Sequence, residues 1–367
     1  MALPRETIPP RDTVGADHRP LGIRRENRAP GVSEREHVQH ELQTGKRSGL
    51  KVLAHVHLYL PHHPAGAECM LHAILRYGVV QRGWVPSVIT DQPPEWSGEW
   101  QGIGVRHDRD PNRLNQAYMF SEVIMTHLDV TRKAIDLSRR HGRPLVHVVH
   151  NDRQLRFHSV RPNEAALVVA NSDWIQDAIK WTGPTTVVYP PTPLMDYRLP
   201  DNKGDSVVLI NLTQQKGALV FYDLARRNPD IKFLGVRGAY GIQEPPPTLP
   251  NLTIEDHTPD VKSIYSRARI VLMPSWYESW GRVAVEAACS GIPSITSPTP
   301  GLAESNCGYL KFRPDRPDEW NEALRVLWND EREWGRASQY AALRAAQLDK
   351  INQVQLKELC AKMEELS

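Results

Sequence analysis

Ala268 to Ser294 reads ARIVLMPSWYESWGRVAVEAACSGIPS. The first six residues are apolar apart from Arg269, a polar loop opens at Pro274, and Gly281 to Ser290 carries small apolar residues at helical spacing until Gly291 and Pro293 stop it. That pattern predicts a short strand, a loop and a helix, and a strand written as a continuous apolar run belongs to a parallel sheet covered on both faces. Two carboxylates interrupt it, Glu278 in the loop and Glu286 in the second turn of the helix. In such sheets ligands bind beyond the carboxyl ends of the strands, so both acids face one crevice. A helix N-terminus near Gly281 offers free N–H groups to an anion, whereas a carboxylate accepts hydrogen bonds from hydroxyls. The stretch therefore points to a ligand with both vicinal hydroxyls and phosphate. On spacing alone two glutamates eight residues apart are usually solvated helix residues; the strand, loop and helix around them give the pair its meaning.

The same alternation runs outward through the chain. KVLAHVHLYL from Lys51 is followed by Gly66 and by Met70, Leu71, Ile74, Leu75 and Val79 at helical spacing. VIMTH leads into LDVTRKAIDLSRRHG, PLVHVVH follows, and ALVVA precedes NSDWIQDAIKW, where Ser172 is a candidate N-cap. VYPPTPLMDYRLPDNKGD then breaks both helix and strand. A second series, SVVLIN, ALVFYDLARR and IKFLGV, runs into the opening stretch, and the segment from Asp318 onward is helical by composition. The expected organisation is α/β: a disordered tail over 1–49, a doubly wound domain over 50–190, a linker over 191–205, a second doubly wound domain over 206–330 and C-terminal helices over 331–367.

Composition narrows the function classes. The 367 residues exceed what one core usually organises. The net charge is +2, and Met1 to Gly49, with five prolines and no Phe, Trp or Tyr, cannot bury enough apolar surface to offset its ordering entropy. No excess of basic residues marks a nucleic-acid partner. Cys69, Cys289, Cys307 and Cys360 lie far apart without a C-x-x-C pair, which fits reduced thiols in a cytoplasmic protein. No apolar run approaches the roughly 18 to 20 residues of a membrane span, so no transmembrane segment is expected and only peripheral membrane contact is left open.

The E-x7-E spacing of Glu278 and Glu286 within PSWYESWGRVAVEAACSGIP resembles the signature of the family 4 retaining glycosyltransferases. Four further segments agree in order: HPAGAE resembles the family's N-domain glycine loop, VHVVHND its active-site histidine segment, VANSDWIQ the next strand and helix, and NLTQQKG its phosphate-binding loop. The resemblance covers about Lys51 to Glu304. It implies a GT-B fold, two Rossmann-like domains facing a central cleft with C-terminal helices, and transfer of a sugar from a nucleotide diphosphate-sugar to an acceptor hydroxyl without a metal or other cofactor. The donor would sit in the C-terminal domain and the acceptor, whether glycan, protein, lipid or small molecule, on the N-terminal one.

By the same resemblance Glu278 would hold hydroxyls of the donor sugar, and the amides of Ser279, Trp280 and Gly281 would touch that sugar. Glu286 would grip the ribose hydroxyls and Lys216 would neutralise the diphosphate. Gly66 would let its loop approach the reaction centre, and His150 would lie near the transferred sugar. The chain departs from the family at Asn211, where an arginine commonly stands five residues before the lysine; Arg282, beside the donor helix, is the candidate for the missing charge. The glycine loop also carries Ala65 before Gly66 where two glycines are usual. Two other readings share this fold: a sugar-nucleotide epimerase, which needs no acceptor, and a catalytically silent nucleotide-sugar-binding subunit.

Other features are set aside. His55, His57, His62 and His63 have ligand-like side chains without an accompanying Cys or acidic pattern, so no metal site is assigned to them. Asp108 to Asp110 imitates a D-x-D metal motif but reads as a polar loop, and GVRGAYG from Gly235 leads into proline rather than into a helix, which fails the dinucleotide fingerprint. His147 reads as a core histidine. Trp276 and Trp280 flank the strand end, where aromatics more often pack than stack on sugar.

Overall fold

The computed structural model describes residues 49–93, 96–200 and 204–367. The tail expected over 1–49 lies, Gly49 apart, outside the described residues. The first sheet is built from β1 (Lys51–Val56), followed by α1 (Gly66–Arg82), β2 (Val85–Thr90), β3 (Ser97–Trp100) and β4 (Ile103–His107). After them come α2 (Pro111–Phe120), β5 (Val123–Thr126), α3 (Thr131–Arg140), β6 (Leu145–Val149), α4 (Gln154–Phe157), β7 (Leu167–Ala170), α5 (Asp173–Ile179) and β8 (Thr185–Val187). The strand order is β3-β4-β2-β1-β5-β6-β7-β8, parallel except at the β3–β4 hairpin. That hairpin has no counterpart in the sequence-based expectation. Its two-residue turn is Gln101-Gly102, both at positive φ (50° and 80°), the conformation of a type I′ turn with glutamine where asparagine is usual.

Apolar runs fill both faces of the sheet with period two. Val52, Ala54 and Val56 of β1 pack under Met70, Leu71, Ile74 and Leu75 of α1, while Leu53 joins Leu114, Tyr118 and Ile135 on the opposite face. The expected linker is not featureless: it contains α6 (Leu194–Tyr197).

The second sheet starts at β9 (Ser206–Ile210), followed by α7 (Ala218–Arg227), β10 (Lys232–Val236), β11 (Leu252–Glu255), α8 (Val261–Tyr265) and β12 (Ala268–Met273). It closes with α9 (Arg282–Ala288), β13 (Ser294–Thr296), α10 (Pro300–Ser305) and β14 (Gly308–Lys311). The order β11-β10-β9-β12-β13-β14 is parallel throughout. The quoted stretch thus forms strand, loop and helix as its pattern dictates, with β12 beside β9 in the middle of the sheet. Gly281 opens α9 at φ 91°, and a Cβ there would stand 2.3 Å from the Leu302 side chain, so only glycine fits that corner.

The chain ends in α11 (Pro317–Asn329) and α12 (Glu331–Glu365). The C-terminal segment expected as several helices is, from Glu331, one helix of 35 residues, about 50 Å long at 1.5 Å per residue. Its first half gives Ala341, Ala345 and Leu348 to the core of the second sheet. Its second half gives Leu356, Leu359, Cys360 and Met363 to the core of the first. At the crossing, buried Asn352 donates to the Tyr189 carbonyl at 2.9 Å. Among the described residues no helix is long and apolar enough to cross a membrane, and all four cysteines are free thiols.

Candidate active site

The loop after β12 carries Glu278, 8% exposed. Lys216 Nζ donates to its Oε1 at 2.7 Å and Ser275 Oγ donates to the same oxygen at 2.9 Å. Lys216 arrives from a single 3-10 turn, Gln214–Lys216, after β9, where Thr213 Oγ1 accepts from the Lys216 amide. The two loops are locked together: the Trp276 amide donates to the Gln215 carbonyl, and Gly217, at φ 83°, lies so close to Pro274 that a Cβ would meet its carbonyl oxygen at 2.3 Å. Burial works against the Lys216 charge, but Glu278 and then Tyr240 outweigh it and hold the ammonium above its usual range. The Lys216 ammonium is therefore charged at neutral pH.

Glu286 on α9 is 7% exposed and already bonded. Tyr265 OH donates to Oε2 at 2.7 Å and Arg282 Nε donates to Oε1 at 2.5 Å. A second nitrogen of Arg282 donates to Tyr197 OH in α6 at 2.6 Å. The Arg282 guanidinium thus pairs with Glu286 and reaches the linker, while its Nη1 is buried without a hydrogen-bond partner. Trp280 packs, as the sequence reading of aromatics at this strand end expects. Its indole is 2% exposed and stacks on Tyr189 with ring centroids 4.2 Å apart, so only its backbone is left for a ligand. Trp276 is exposed.

Asn211 is buried at φ 73° and held by Gln243, whose Nε2 donates to Asn211 Oδ1 at 3.2 Å. Gln243 Oε1 meanwhile accepts from the amides of Leu212 and Gly238. The loop read as GVRGAYG is thus tied back over the phosphate loop by one side chain that sequence reasoning missed. A Cβ on Gly238 would stand 2.3 Å from Asn211 Cγ, leaving little room there for an arginine.

On the first domain His150 follows β6. Its Nε2 lies 3.0 Å from Nδ1 of His127, which follows β5. Burial, and secondarily His57, lowers His150 to about 3; burial likewise holds His127 far below its usual value, with His150 the next cause. Both rings are neutral at pH 7, so one nitrogen donates and the other accepts. His150 is a neutral hydrogen-bonding group, not a cation. Gly66 opens α1 with open space where a Cβ would stand. Two residues on, Glu68 is buried, and that burial pushes its carboxyl up to about 7.

The two halves meet at Ser279. Asn171 Nδ2 donates to Ser279 Oγ at 2.9 Å and also lies 3.4 Å from the His150 carbonyl. Ser172 Oγ and Trp174 Nε1 donate to the Ser279 carbonyl at 3.0 and 2.8 Å. Tyr277 OH donates to Asp152 Oδ1 at 2.9 Å. The expected N-cap role of Ser172 is taken by Glu304 of the other domain, which accepts from the Asp173 and Trp174 amides at 2.7 and 3.0 Å. Ser279 is therefore a domain contact as well as a candidate donor residue.

Several of the features set aside have ordinary structural partners. His55 bonds Tyr118 OH at 2.7 Å, and His62 packs edge-on against Trp96. His147 takes Thr131 and Gln154 as partners. Asp108 pairs with Arg113 at 2.9 Å, and Asp110 caps α2.

Residues 223–330 match the family Glycosyl transferases group 1, a span that includes Glu278, Glu286 and Arg282 but not Lys216 or the first domain. A segment of 127 residues is 32% identical to D-inositol 3-phosphate glycosyltransferase of Corynebacterium aurimucosum, covering 30% of this chain and 30% of that one. Another of 70 residues is 33% identical to lipopolysaccharide glucosyltransferase WaaG of Escherichia coli, covering 18% of this chain and 19% of that one. The chain thus spans less than a third of the length of either relative. Over 85% of its length it superposes on the whole of Anabaena Alr3699/HepE in complex with UDP-glucose, with a TM-score of 0.68 and 20% identity. Sucrose-phosphate synthase of Thermosynechococcus elongatus superposes over 86% of this chain and all of that one, with a TM-score of 0.65 and 15% identity. The fold is GT-B. In this GT-B chain Lys216 pairs with Glu278 and Arg282 with Glu286 on the second domain, and His150 and Gly66 belong to the first.

Proposed function

We propose that the protein is a cytoplasmic, retaining glycosyltransferase that moves a sugar from a nucleotide diphosphate-sugar to an acceptor hydroxyl, independently of metal. The observation that carries this reading is the part-buried ion pair of Lys216 and Glu278 on the donor half of a GT-B fold. A nucleotide-sugar brings one group for each partner: the diphosphate for the ammonium, the sugar hydroxyls for the carboxylate. Binding exchanges the internal pair for two external ones, so neither charge is left buried alone. Glu286, oriented by Tyr265 and Arg282, keeps lone pairs for ribose hydroxyls.

As the bond from the sugar to the diphosphate breaks, negative charge grows on the leaving phosphate and Lys216 stabilises it in place. The leaving phosphate accepts the acceptor hydroxyl's proton on the face it departs from, so the anomeric configuration is retained. Neutral His150 supplies a hydrogen bond near the sugar from the first domain. The acceptor is a hydroxyl compound held there.

A second reading has its own observation. With Asn211 uncharged and Arg282 committed to Glu286, Lys216 is the only cation of the expected set left for the diphosphate, which favours a slow transferase or a nucleotide-sugar-binding subunit. Acceptor-dependent release of nucleoside diphosphate, measured with and without EDTA, separates the readings. Release that persists in EDTA supports the transferase. Loss in EDTA restored by a divalent ion overturns metal independence, an isomerised donor without acceptor indicates an epimerase, and binding without release indicates the silent subunit.

A further inference from the structure

We propose that His57, Glu68 and His127 form a binding site for a divalent transition-metal ion of the zinc class on the first domain's side of the cleft. His57 and His127 follow β1 and β5, which are neighbours in the sheet, and Glu68 stands in the first turn of α1. Three separate elements thus converge at the carboxyl edge of one parallel sheet. One donor atom from each residue lies within 4.8 Å of the other two, and His57 Nε2 stands 3.9 Å from Glu68 Oε1. Coordination bonds of about 2.0 to 2.2 Å would bring the three donors to roughly 3.3 Å from one another, a contraction within the reach of side-chain rotation.

His127 carries the argument furthest. It is fully buried, and its Nε2 has no hydrogen-bond partner in the structure, an expensive state for a polar atom. Its other nitrogen is engaged by His150 Nε2 at 3.0 Å. When Nδ1–H donates to His150, the lone pair rests on the unpartnered Nε2, where it is free for an ion, and His150 becomes the outer partner that fixes the ligand's tautomer. Two imidazoles and a carboxylate suit zinc-class ions, and three protein ligands leave a fourth coordination position open. Glu68 is the ligand that the four-histidine reading of the sequence lacked. No step of the proposed transfer passes through an ion and the diphosphate keeps Lys216; His150 is the residue that borders both sites.

The test uses the untagged full chain freed of metal, with cobalt(II) as a spectroscopic probe and zinc(II) in calorimetry. One equivalent of each is expected to bind, with cobalt giving the intense visible bands of a low-coordinate site and zinc displacing it. Glu68→Gln, which keeps the side-chain shape, and His127→Ala are each expected to weaken zinc at least tenfold, while His62→Ala, outside the cluster, leaves it unchanged. Circular dichroism confirms that each variant is folded; if His127→Ala is not, Glu68→Gln decides. A wild-type chain that takes up no ion, or a folded Glu68→Gln that binds as tightly as wild type, overturns the proposal.

Discussion

Glu278 and Glu286 are both buried carboxylates with a cationic partner, yet their surroundings assign them different work. Glu278 is paired to a lysine whose long stem can swing to another anion, while Glu286 is braced by Arg282 and Tyr265 and stays in place. Glu286→Gln is therefore expected to weaken free nucleoside diphosphate by about 1.5 to 3 kcal/mol, the value of a hydrogen bond to a charged group. Glu278→Gln should leave free nucleotide binding intact and reduce only the extra affinity gained from the sugar. Isothermal calorimetry with both ligands reads the difference; equal losses of free nucleotide in the two variants would refute this division. The two acids and Lys216 were legible in the sequence because they sit at fixed short distances from strand ends. Their partners were not: Tyr265 and Tyr197 reach the α9 pair from 21 and 85 residues away, and Gln243 reaches Asn211 from 32. His127 left one trace, a histidine placed directly after an apolar strand just as His150 is.

At the scale of elements the alternation of strand and helix was readable throughout, because buried parallel strands are written as apolar runs. The short hairpin β3–β4 was not, since β3, exposed at Ser97, Gly98 and Glu99, carries no such run. Nor was the continuity of α12, where Asp330 caps the start with bonds to the Arg332 and Glu333 amides and the helix runs through Gly335 without a break to Glu365. The far end of this helix is pinned by Glu364, which accepts from Trp84 Nε1 at 3.0 Å and from Arg82 Nε at 2.9 Å. The hydrogen bond from Arg82 holds the Glu364 carboxyl below its usual 4.5, against a smaller opposing effect of burial. A carboxyl whose pKa is lowered on folding adds stability above its unfolded pKa, and that stability is lost as pH falls through the folded value. Glu364→Gln should accordingly lower the melting temperature at pH 7, with the gap to wild type closing as the pH drops below about 4.5. Melting curves over that range check it, and a gap that stays constant into the acid would show that the pairing contributes nothing.

For the whole molecule, the described contacts between the two domains are concentrated in few places: the Ser279 cluster, the Asp152–Tyr277 bond, the Glu304 cap and the shared helix α12. Glu304 is the most informative, since it caps a helix that belongs to the other domain. Removing a helix cap costs about 1 kcal/mol, so Glu304→Ala should lower the unfolding free energy read from urea melts by that amount and speed hydrogen exchange at the Asp173 and Trp174 amides. Unchanged exchange at both amides would mean that the cap does not hold the domains together in solution. Such a contact could not be read from sequence: Glu304 and Asp173 are 131 residues apart, and Ser172 offered a nearer cap that the structure uses to bond Ser279 instead.

The shared helix also orders events during synthesis. Residues 356–363 complete the core that begins at Leu50, yet they leave the ribosome roughly 170 residues after Val188, the last residue of that core from the first domain. At about 5 to 20 residues per second the delay is on the order of ten to thirty seconds. Throughout it the core of the nascent first domain lacks the apolar side chains of Leu356, Leu359, Cys360 and Met363, so it is completed only when α12 emerges.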